Sequence, residues 1–530
     1  MRMDESLLLA LYSADGMQKV DGLAIQGIGI PGGHLMERAG LAVATEILER
    51  YAPEEAVVFA GKGNNGGDGF VIARELFDQG VEVAVFPLAA QEEYKGDARL
   101  NLEILDRLGV DVRPATEAGR ETLAEDAVML TEMADVVVDA IFGTGFTGAA
   151  KGAAAAAIEL INEAPGAVVS VDIMSGVGAS TGAIHGPAVM ADLTVTLHAA
   201  KVGHFVTPGG AFSGEVVVAP IGIPSICDQD PKVWLLTDDA MGELVVPKGS
   251  FDHKRSVGTV LVVGGSKGME GAAHMAAFAA LRGGAGLVHA ALPDGAGAQK
   301  PYAEVITVTV PGEDGQFGLA ARSALFEQAD GLMAVAVGPG LGRTDGAQAL
   351  VRELLGVDVP LLLDADGLYA LGTRLELLAE RAAPTVITPH EGELGRLIGR
   401  PADEVAAQRL ECAVSAAKRG GATVVLKGEA TIVADPSGVA YVVPVGNPGL
   451  ATPGTGDVLS GVIVAQLAKG LPATDAACLG AYLHGLAADL AAEDVFGTEA
   501  LVASDLFHYL PAAVERLKAG PQEESHEHEH

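Results

Sequence analysis

The chain has 530 residues, 49% apolar and 20% charged, enough to bury about three ordinary domains or two large ones, and this excludes a disordered protein. Seventy acidic against 34 basic residues give a net charge of −36, which opposes binding to nucleic acid and leaves room only for a local phosphate site built from backbone N–H groups. Cys227, Cys412 and Cys478 are far apart without C-x-x-C spacing, and no run of 18 apolar residues occurs, so a reducing cytoplasm is expected, with no membrane span, disulfide framework or zinc ribbon.

In chain order, AVVFA (56–60), VEVAVF (81–86), DVVVDAIF (135–142) and AVVSVDI (167–173) read as short β-branched strands separated by helix-length segments such as FVIARELFDQ (70–79). This alternation predicts a mostly parallel sheet covered on both faces. GKGNNGGDG (61–69) follows a strand and opens a helix, where free N–H groups and the helix dipole favour a phosphate. It satisfies G-x-G-x-x-G through Gly61, Gly63 and Gly66, and Glu82 follows, so a Rossmann dinucleotide fingerprint is one reading. Asn64, Asn65 and Asp68 are more polar than a tight turn requires and point instead to ion or ligand coordination; a plain turn with Asp68 as helix cap is the bland alternative. VDAIFGTGFTGA (138–149) and SVDIMSG (170–176) end later strands at the edge where ligands of parallel sheets collect, so Asp139, Asp172 and Ser175 are expected to converge on the Asn65 loop. A buried carboxylate needs a cation, a donor or a protonation role, and a cation bridging Asn65, Asp139 and Ser175 answers that need, unless each Asp merely caps a turn.

The stretch VVVAPIGIPSICDQDPKVWLLT (216–237), with Pro220, Pro224, Pro231 and the single Trp234, places a boundary near residue 230. Beyond it TVLVVGG, GLVHAAL, GLMAVAVG, PLLLDAD, TVITPH and TVVLKG repeat the alternation, giving a second α/β domain over 231–520 after a first over 1–230. GTVLVVGGSKGMEGA (258–272) contains G-x-S-x-G as Gly264, Ser266 and Gly268, and with Asp364 or Asp366 and then His390 it follows the order of an α/β-hydrolase triad. Against that stands NPGLATPGTGDVLSGVIVAQLAKG (447–470), a Gly-Thr-Gly-Asp turn opening a helix. N–H groups there suit a transferring phosphate while Asp457 takes a proton from a hydroxyl; Walker A is absent. The plain alternatives make Asp457 a helix cap and His390 a satisfied loop histidine, and Asp364 and Asp366 hold magnesium or solvate a turn. Residues 521–530, PQEESHEHEH, read as a disordered acidic tail with adventitious metal affinity at His526, His528 and His530.

Several motifs then agree with known families. MQKVDGLAIQ, GIPGGHLMERAG, GNNGGDGFVIAR, VDAIFGTG and VDIMSG, in order over roughly residues 10–225, resemble the NAD(P)H-hydrate epimerase domain, a Rossmann-like three-layer α/β/α fold. The resemblance implies that Asn64, Asn65, Gly66, Gly67 and Asp68, with Gly143, Thr144, Gly145, Phe146, Thr147, Gly148 and Ala149, hold the hydrate. It makes Asp172 the acid/base at the reacting carbon and Asn65, Asp139 and Ser175 the ligands of a potassium ion. Met174 stands where that family usually has proline. HKRSVGTVLVVGGSKGMEGAA, GPGLG, LLLDADGL, TPHEGE, LKGEATIV and NPGLATPGTGDVLSG resemble the ADP-dependent NAD(P)H-hydrate dehydratase domain, a ribokinase-like fold. Here the implied nucleotide contacts are Lys427, Gly428, Glu429, Ala430, Thr431 and Gly456. The implied hydrate contacts are Ala272, Gly340, His390 and Asp457, with Asp457 as base and Mg2+ at the dehydratase site. Together the resemblances imply a cytoplasmic, homo-oligomeric repair enzyme. It would epimerise R and S hydrates and dehydrate the S form with ADP, giving AMP and phosphate. A nicotinamide-dependent dehydrogenase, a ribokinase-like small-molecule kinase and a non-catalytic nucleotide sensor are the competing readings.

Overall fold

The computed structural model describes residues 2–116, 122–229, 231–247, 249, 257–297, 301–327 and 331–520, so the tail reading at 521–530 lies outside the described residues. The chain divides into one unit spanning Ala10–Val233 and another formed by Met1–Leu9 with Trp234–His530. The sequence boundary near 230 leaves the N-terminus with the first domain, whereas Met1–Leu9 group with the second unit. There Thr237 Oγ1 donates to the Leu7 carbonyl at 2.6 Å and Leu8 joins the apolar core. Among the described residues no helix is long and apolar enough to cross a membrane.

The Ala10–Val233 unit carries strands β1 (Glu55–Ala60), β2 (Glu82–Pro87), β3 (Asp111–Val112), β4 (Val136–Ala140), β5 (Ala167–Val171), β6 (Leu193–Leu197) and β7 (Glu215–Ala219). They form one sheet in the order β3-β2-β1-β4-β5-β6-β7, every pairing parallel. Along β1, Ala56, Val58 and Ala60 enter one apolar core and Val57 and Phe59 the other, so the period-2 alternation of a strand feeds two helical layers. Helices Gly32–Tyr51, α1, and Asn64–Asp78, α2, pack on the first face, and Gly152–Glu163, α3, on the second.

In the other unit β8 (Thr259–Val263), β9 (Leu287–Pro293), β10 (Ile306–Val310), β11 (Ala334–Val337), β12 (Leu361–Leu363), β13 (Thr385–Ile387) and β14 (Thr423–Leu426) are parallel in the order β10-β9-β8-β11-β12-β13-β14. Two antiparallel strands, β15 (Ile432–Ala434) and β16 (Ala440–Val442), extend it. The small side chains of Ala276 and Ala279 on α4 (Glu270–Arg282) meet Gly461 on α5 (Thr455–Ala468), where an added Cβ would lie 2.1 Å from the Ala276 carbonyl oxygen. The two helices therefore touch backbone to backbone, which seats the start of α5 against the sheet.

Candidate active sites

In the first unit strand order reverses between β1 and β4, and the loops that leave them diverge to open a crevice. Gly61 sits where they touch: a Cβ there would lie 1.9 Å from the Ile141 carbonyl oxygen. The crevice becomes a cavity of about 590 Å3 whose lining includes Asn64, Asn65, Asp68, Gly143, Thr144, Gly145, Phe146, Thr147 and Asp172. Four sequence-predicted contacts lie outside that lining. Gly66 packs on the Gly61 carbonyl and Gly67 on Met36 and Ala98, where side chains would collide; Gly148 adopts φ +84° in a turn and Ala149 backs onto Gly186. Glu82 opens β2 at the opposite, N-terminal edge of the sheet, so it is not placed to hold a ribose bound at the crevice, and the dinucleotide fingerprint fails on geometry.

Asp139, fully buried at the end of β4, accepts from Ser170 Oγ (2.9 Å), Ser175 N (2.8 Å), Ser175 Oγ (2.5 Å) and Ile141 N (3.2 Å). Burial raises its carboxyl above the ordinary carboxylate range against the pull of those donors. Asn65 Nδ2 donates to the Phe142 carbonyl at 3.0 Å, and Phe142 N donates to Ser175 Oγ at 2.9 Å, which ties the three loops together. Asn65 Oδ1 is buried with no hydrogen-bond partner. An orphaned carbonyl oxygen beside a hydroxyl and a carboxylate is a donor set suited to a hard monovalent cation.

Asp172 follows β5 with φ +69°, a left-handed conformation that costs a non-glycine residue energy. A clamp drawn from β6 and the loop after it holds it there. Asp172 N donates to the Val195 carbonyl (2.9 Å), Leu197 N donates to Asp172 Oδ1 (3.1 Å), and Lys201 Nζ makes a short ion pair with the same oxygen. His204 Nδ1 accepts from Lys201 N (3.1 Å) and Nε2 reaches the Asp172 carbonyl (2.9 Å). Burial lowers the imidazole to about 3, so His204 is neutral and its Nε2–H donates. Met174 is fully buried in the apolar core, so packing anchors this turn. Lys201 and His204 carry no sequence motif, their only signal being a lysine and a histidine inside the otherwise apolar AAKVGHF at 199–205, and Asp21, a further carboxyl at this cavity, lies within MQKVDGLAIQ but is not singled out by it.

The second unit repeats the reversal between β8 and β11, and Gly264 makes the close approach, a Cβ there falling 2.0 Å from the Pro339 carbonyl oxygen. Gly340 adopts φ +59°, and its added Cβ would meet the Met269 carbonyl at 2.6 Å and Ala272 Cβ at 3.2 Å, so Gly340 and Ala272 are neighbours. Ser266 is fully buried, N–H donating to Gly340 O (2.7 Å) and hydroxyl to Leu341 O (2.5 Å). A serine spent inside a loop is no nucleophile, which removes the hydrolase reading. His390 caps the helix Glu391–Ile398, Nδ1 accepting from Gly392 N at 3.1 Å, with its ring half exposed.

At the start of α5, Gly454 with φ +94° turns the chain so that Thr455, Gly456 and Asp457 present the helix N-terminus. Burial foremost, then the charge of Asp364, raises the Asp457 carboxyl to about 7, with Lys427 pulling the other way. Lys427 Nζ is itself committed to Asp364 Oδ1 (2.9 Å) and lies 3.7 Å from Glu393 Oε2. Burial opposes its charge, yet Asp364 and Glu393 outweigh burial and hold the ammonium above its ordinary value. Asp364 also accepts from Ser460 Oγ (2.7 Å) and Ala365 N (2.9 Å), and Asp366 from Arg343 Nε (2.7 Å) and Gly342 N (3.0 Å). Both carboxylates are thus engaged by protein donors. Among the described residues no three His, Cys, Asp or Glu are grouped to hold a metal alone.

A cavity of about 430 Å3 beside this turn is lined by Lys427, Gly428, Glu429, Ala430, Thr431 and Gly456, with Val445 and Pro448 as apolar walls. His484, lowered to about 4 by burial, is neutral and donates from Nε2 to the Thr455 carbonyl at 2.9 Å, bracing the turn. Arg409 pairs with Glu391 and reaches the Leu426 and Lys427 carbonyls, both at 3.4 Å, fixing the other wall. Ser460, His484 and Glu393 were not legible as site residues from their spacing.

Comparison with known proteins follows the same division. The family described as YjeF-related protein N-terminus matches residues 32–203, and the family described as NAD(P)H-hydrate dehydratase matches residues 260–512. The chain is 43% identical over 519 residues to the bifunctional NAD(P)H-hydrate repair enzyme of Moorella thermoacetica, spanning 96% of this chain and 97% of that one. To the enzyme of the same name from Escherichia coli it is 32% identical over 507 residues, spanning 95% and 94%. A solved ADP/ATP-dependent NAD(P)H-hydrate dehydratase from Bacillus subtilis, co-crystallised with ATP and Mg2+, covers 53% of this chain and 98% of its own at 30% identity and a TM-score of 0.45. With relatives that match nearly end to end and a family match in each unit, the chain belongs to the family of bifunctional NAD(P)H-hydrate repair enzymes.

Proposed function

We propose that this protein restores NADH and NADPH whose nicotinamide ring has added water at carbon 6. The first unit interconverts the R and S hydrates and the second dehydrates the S form with ADP. The observation that carries the reading is Asp457: a carboxyl held near neutral pH at a helix N-terminus, beside a cavity of nucleotide size. Hydroxide is a poor leaving group. Asp457 therefore takes the proton of the hydrate hydroxyl while that oxygen attacks the β-phosphate of ADP and AMP departs. Loss of phosphate from carbon 6 and of a proton from carbon 5 then returns NAD(P)H. The N–H groups at the start of α5 and the Lys427 ammonium stabilise the charge that develops on the transferring group. Lys427, Gly428, Glu429, Ala430, Thr431 and Gly456 bind the nucleotide, and Ala272, Gly340 and His390 the hydrate. Mg2+ in this reading travels with the nucleotide phosphates, in keeping with a cation that keeps its waters and takes few protein ligands.

In the epimerase unit the residues that would hold potassium are Asn65 through its orphaned Oδ1, Asp139 and Ser175, and the ion would supply a fixed positive charge there. Asp172 acts as the acid/base at the reacting carbon. The protein works in the cytoplasm as a homo-oligomer. The test is recovery of reduced-nicotinamide absorbance from mixed R and S hydrates with ADP and potassium. Full recovery, with AMP and free phosphate as products, is expected. A stable phosphorylated hydrate would make the second unit a kinase, and binding without turnover would make it a sensor.

A further inference from the structure

The first cavity holds more carboxyl groups than cations to pair with them. Asp21, Asp68, Asp97 and Asp172 all line it, against Lys62 and Lys201. Lys62 lies 3.6 Å from Glu93 and so is drawn to a carboxylate outside the lining. Lys201, 1% exposed, spends all three ammonium protons, one on Asp172 Oδ1, one on Thr196 Oγ1 (2.8 Å) and one on the Leu197 carbonyl (3.0 Å). Asp68, 7% exposed, has no ion pair or side-chain hydrogen bond among the described residues, although it faces the same space.

Resting on the epimerase reading, we propose that Lys201 divides the labour between two carboxyl groups, fixing Asp172 as the base and leaving Asp68 as the acid that protonates the departing hydroxyl. A buried carboxyl with neither counter-ion nor donor favours the form that keeps its proton, whereas Asp172 is fixed in place by its ammonium partner. Burial first, then the charges of Asp172 and Asp21, holds the Asp68 carboxyl well above the carboxylate range, with Lys201 opposing. Burial and Asp172 likewise raise Asp21, on which Lys201 and His198 act in the opposite sense.

The chemistry balances without a further reactant. Asp68 gives its proton to the hydroxyl on carbon 6, the carbon–oxygen bond breaks, water leaves, and the ring-nitrogen lone pair forms the carbon–nitrogen double bond. A second water adds to carbon 6 from the other face, the double-bond pair returns to nitrogen, and Asp172 takes the proton of that water. Each turn moves one proton from Asp68 to Asp172, so the reverse epimerisation uses the same pair with exchanged roles. Asp68 and Asp172 reach the cavity from different elements, α2 and the end of β5. In this scheme Asp68 is a catalytic residue and Lys201, acting through Asp172, a positioning residue.

The test uses the full chain in potassium buffer, with purified R hydrate, and follows the R to S ratio and uptake of heavy oxygen from labelled water across pH. Asp68→Asn is expected to lower kcat for epimerisation about 10²–10⁴-fold with KM little changed. Lys201→Met is expected to lower kcat and move the acidic limb of the profile to higher pH, and Lys201→Arg to restore part of both. Epimerisation at the wild-type rate in Asp68→Asn, epimerisation without oxygen uptake, or a slow Lys201→Met whose pH limb has not moved overturns the proposal. Circular dichroism and denaturant melts of the same preparations report whether the unit that carries each substitution has folded. A wild-type protein that does not epimerise at all defeats the epimerase reading itself, which is a different result.

Discussion

Both units place an aspartate at the candidate site and a lysine near it, but they connect the two differently. In the first, Lys201 is bonded directly to Asp172, the residue proposed to act. In the second, Lys427 is bonded to Asp364, and Asp457 stands apart, feeling Asp364 as a repulsive charge and Lys427 as a weaker attractive one. The same residue pair thus yields a carboxylate stabilised by contact in one site and a carboxyl raised to about 7 in the other. The difference suits the chemistry proposed for each. Moving a proton to and from water needs a base whose charge is secure, whereas deprotonating an alcohol as it attacks phosphate gains from a base poised near the working pH.

The largest effects come from removing either carboxylate. Asp457→Asn is expected to lower ADP-dependent dehydration of S hydrate about 10²–10⁴-fold while leaving R to S epimerisation intact, and Asp172→Asn to do the reverse. Loss of both activities in either single variant would break the comparison, because it would mean the two sites do not act separately. Next in size is pH. Asp457 acts as its anion, so dehydration falls about tenfold per unit below a limb near 7. Replacing Lys427 by Met removes the attractive charge and moves that limb up, whereas Asp364→Asn removes the repulsive one and moves it down. A limb that stays fixed in both variants would show that a different group titrates.

Smaller, and structural in origin, are the switch-point glycines. Gly61→Ala and Gly264→Ala each force a Cβ to within about 2 Å of a carbonyl oxygen of the neighbouring loop, at 1.9 and 2.0 Å, where backbone has to shift. A cost of about 1–3 kcal/mol or more is expected, read by denaturant melts, with activity lost only in the unit that carries the change. These glycines show what the sequence makes legible. A glycine run after an apolar β-branched segment marks a strand end, and the alternation of such segments gives two parallel sheets, so Gly61, Asn65, Asp139 and Asp172 could be placed near a crevice in advance, whereas the 427–431 loop is reached only through the family resemblance. Spacing does not say which glycine faces ligand and which meets backbone, and Gly66 and Gly67 prove to be packers. Nor does it reveal partners set by sheet order: Lys201 reaches Asp172 because β5 and β6 are neighbours, and Arg343 takes up Asp366 from the loop after β11. Met1–Leu9 group with distant sequence for the same reason, since a short apolar segment carries no sign of which core it joins.

The smallest effect is on stability, and its sign separates the two sites again. An acid whose proton is held more tightly in the folded protein than in the unfolded chain favours folding at low pH, and that contribution is lost as pH rises through the folded value. For Asp457 the window runs from the ordinary 3.8 up to about 7. Above it the folded protein keeps a half-buried negative charge beside Asp364 that the unfolded chain would carry in water. Asp457→Asn removes that charge without removing a hydrogen bond, so the variant should melt above wild type at about pH 8, by roughly 2–4 °C per kcal/mol regained, and the gap should close toward pH 4. Asp172→Asn should show the opposite sign, because it removes the carboxylate that Lys201 contacts and leaves an ammonium 1% exposed without an ion pair among the described residues, a change that costs stability. Calorimetry on nucleotide-free protein, so that ligand binding does not add its own stabilisation, separates the cases. If Asp457→Asn melts below wild type at pH 8, its carboxyl is stabilised in the fold by contacts that outweigh burial, and the contrast between the two lysines does not set the behaviour of the two acids.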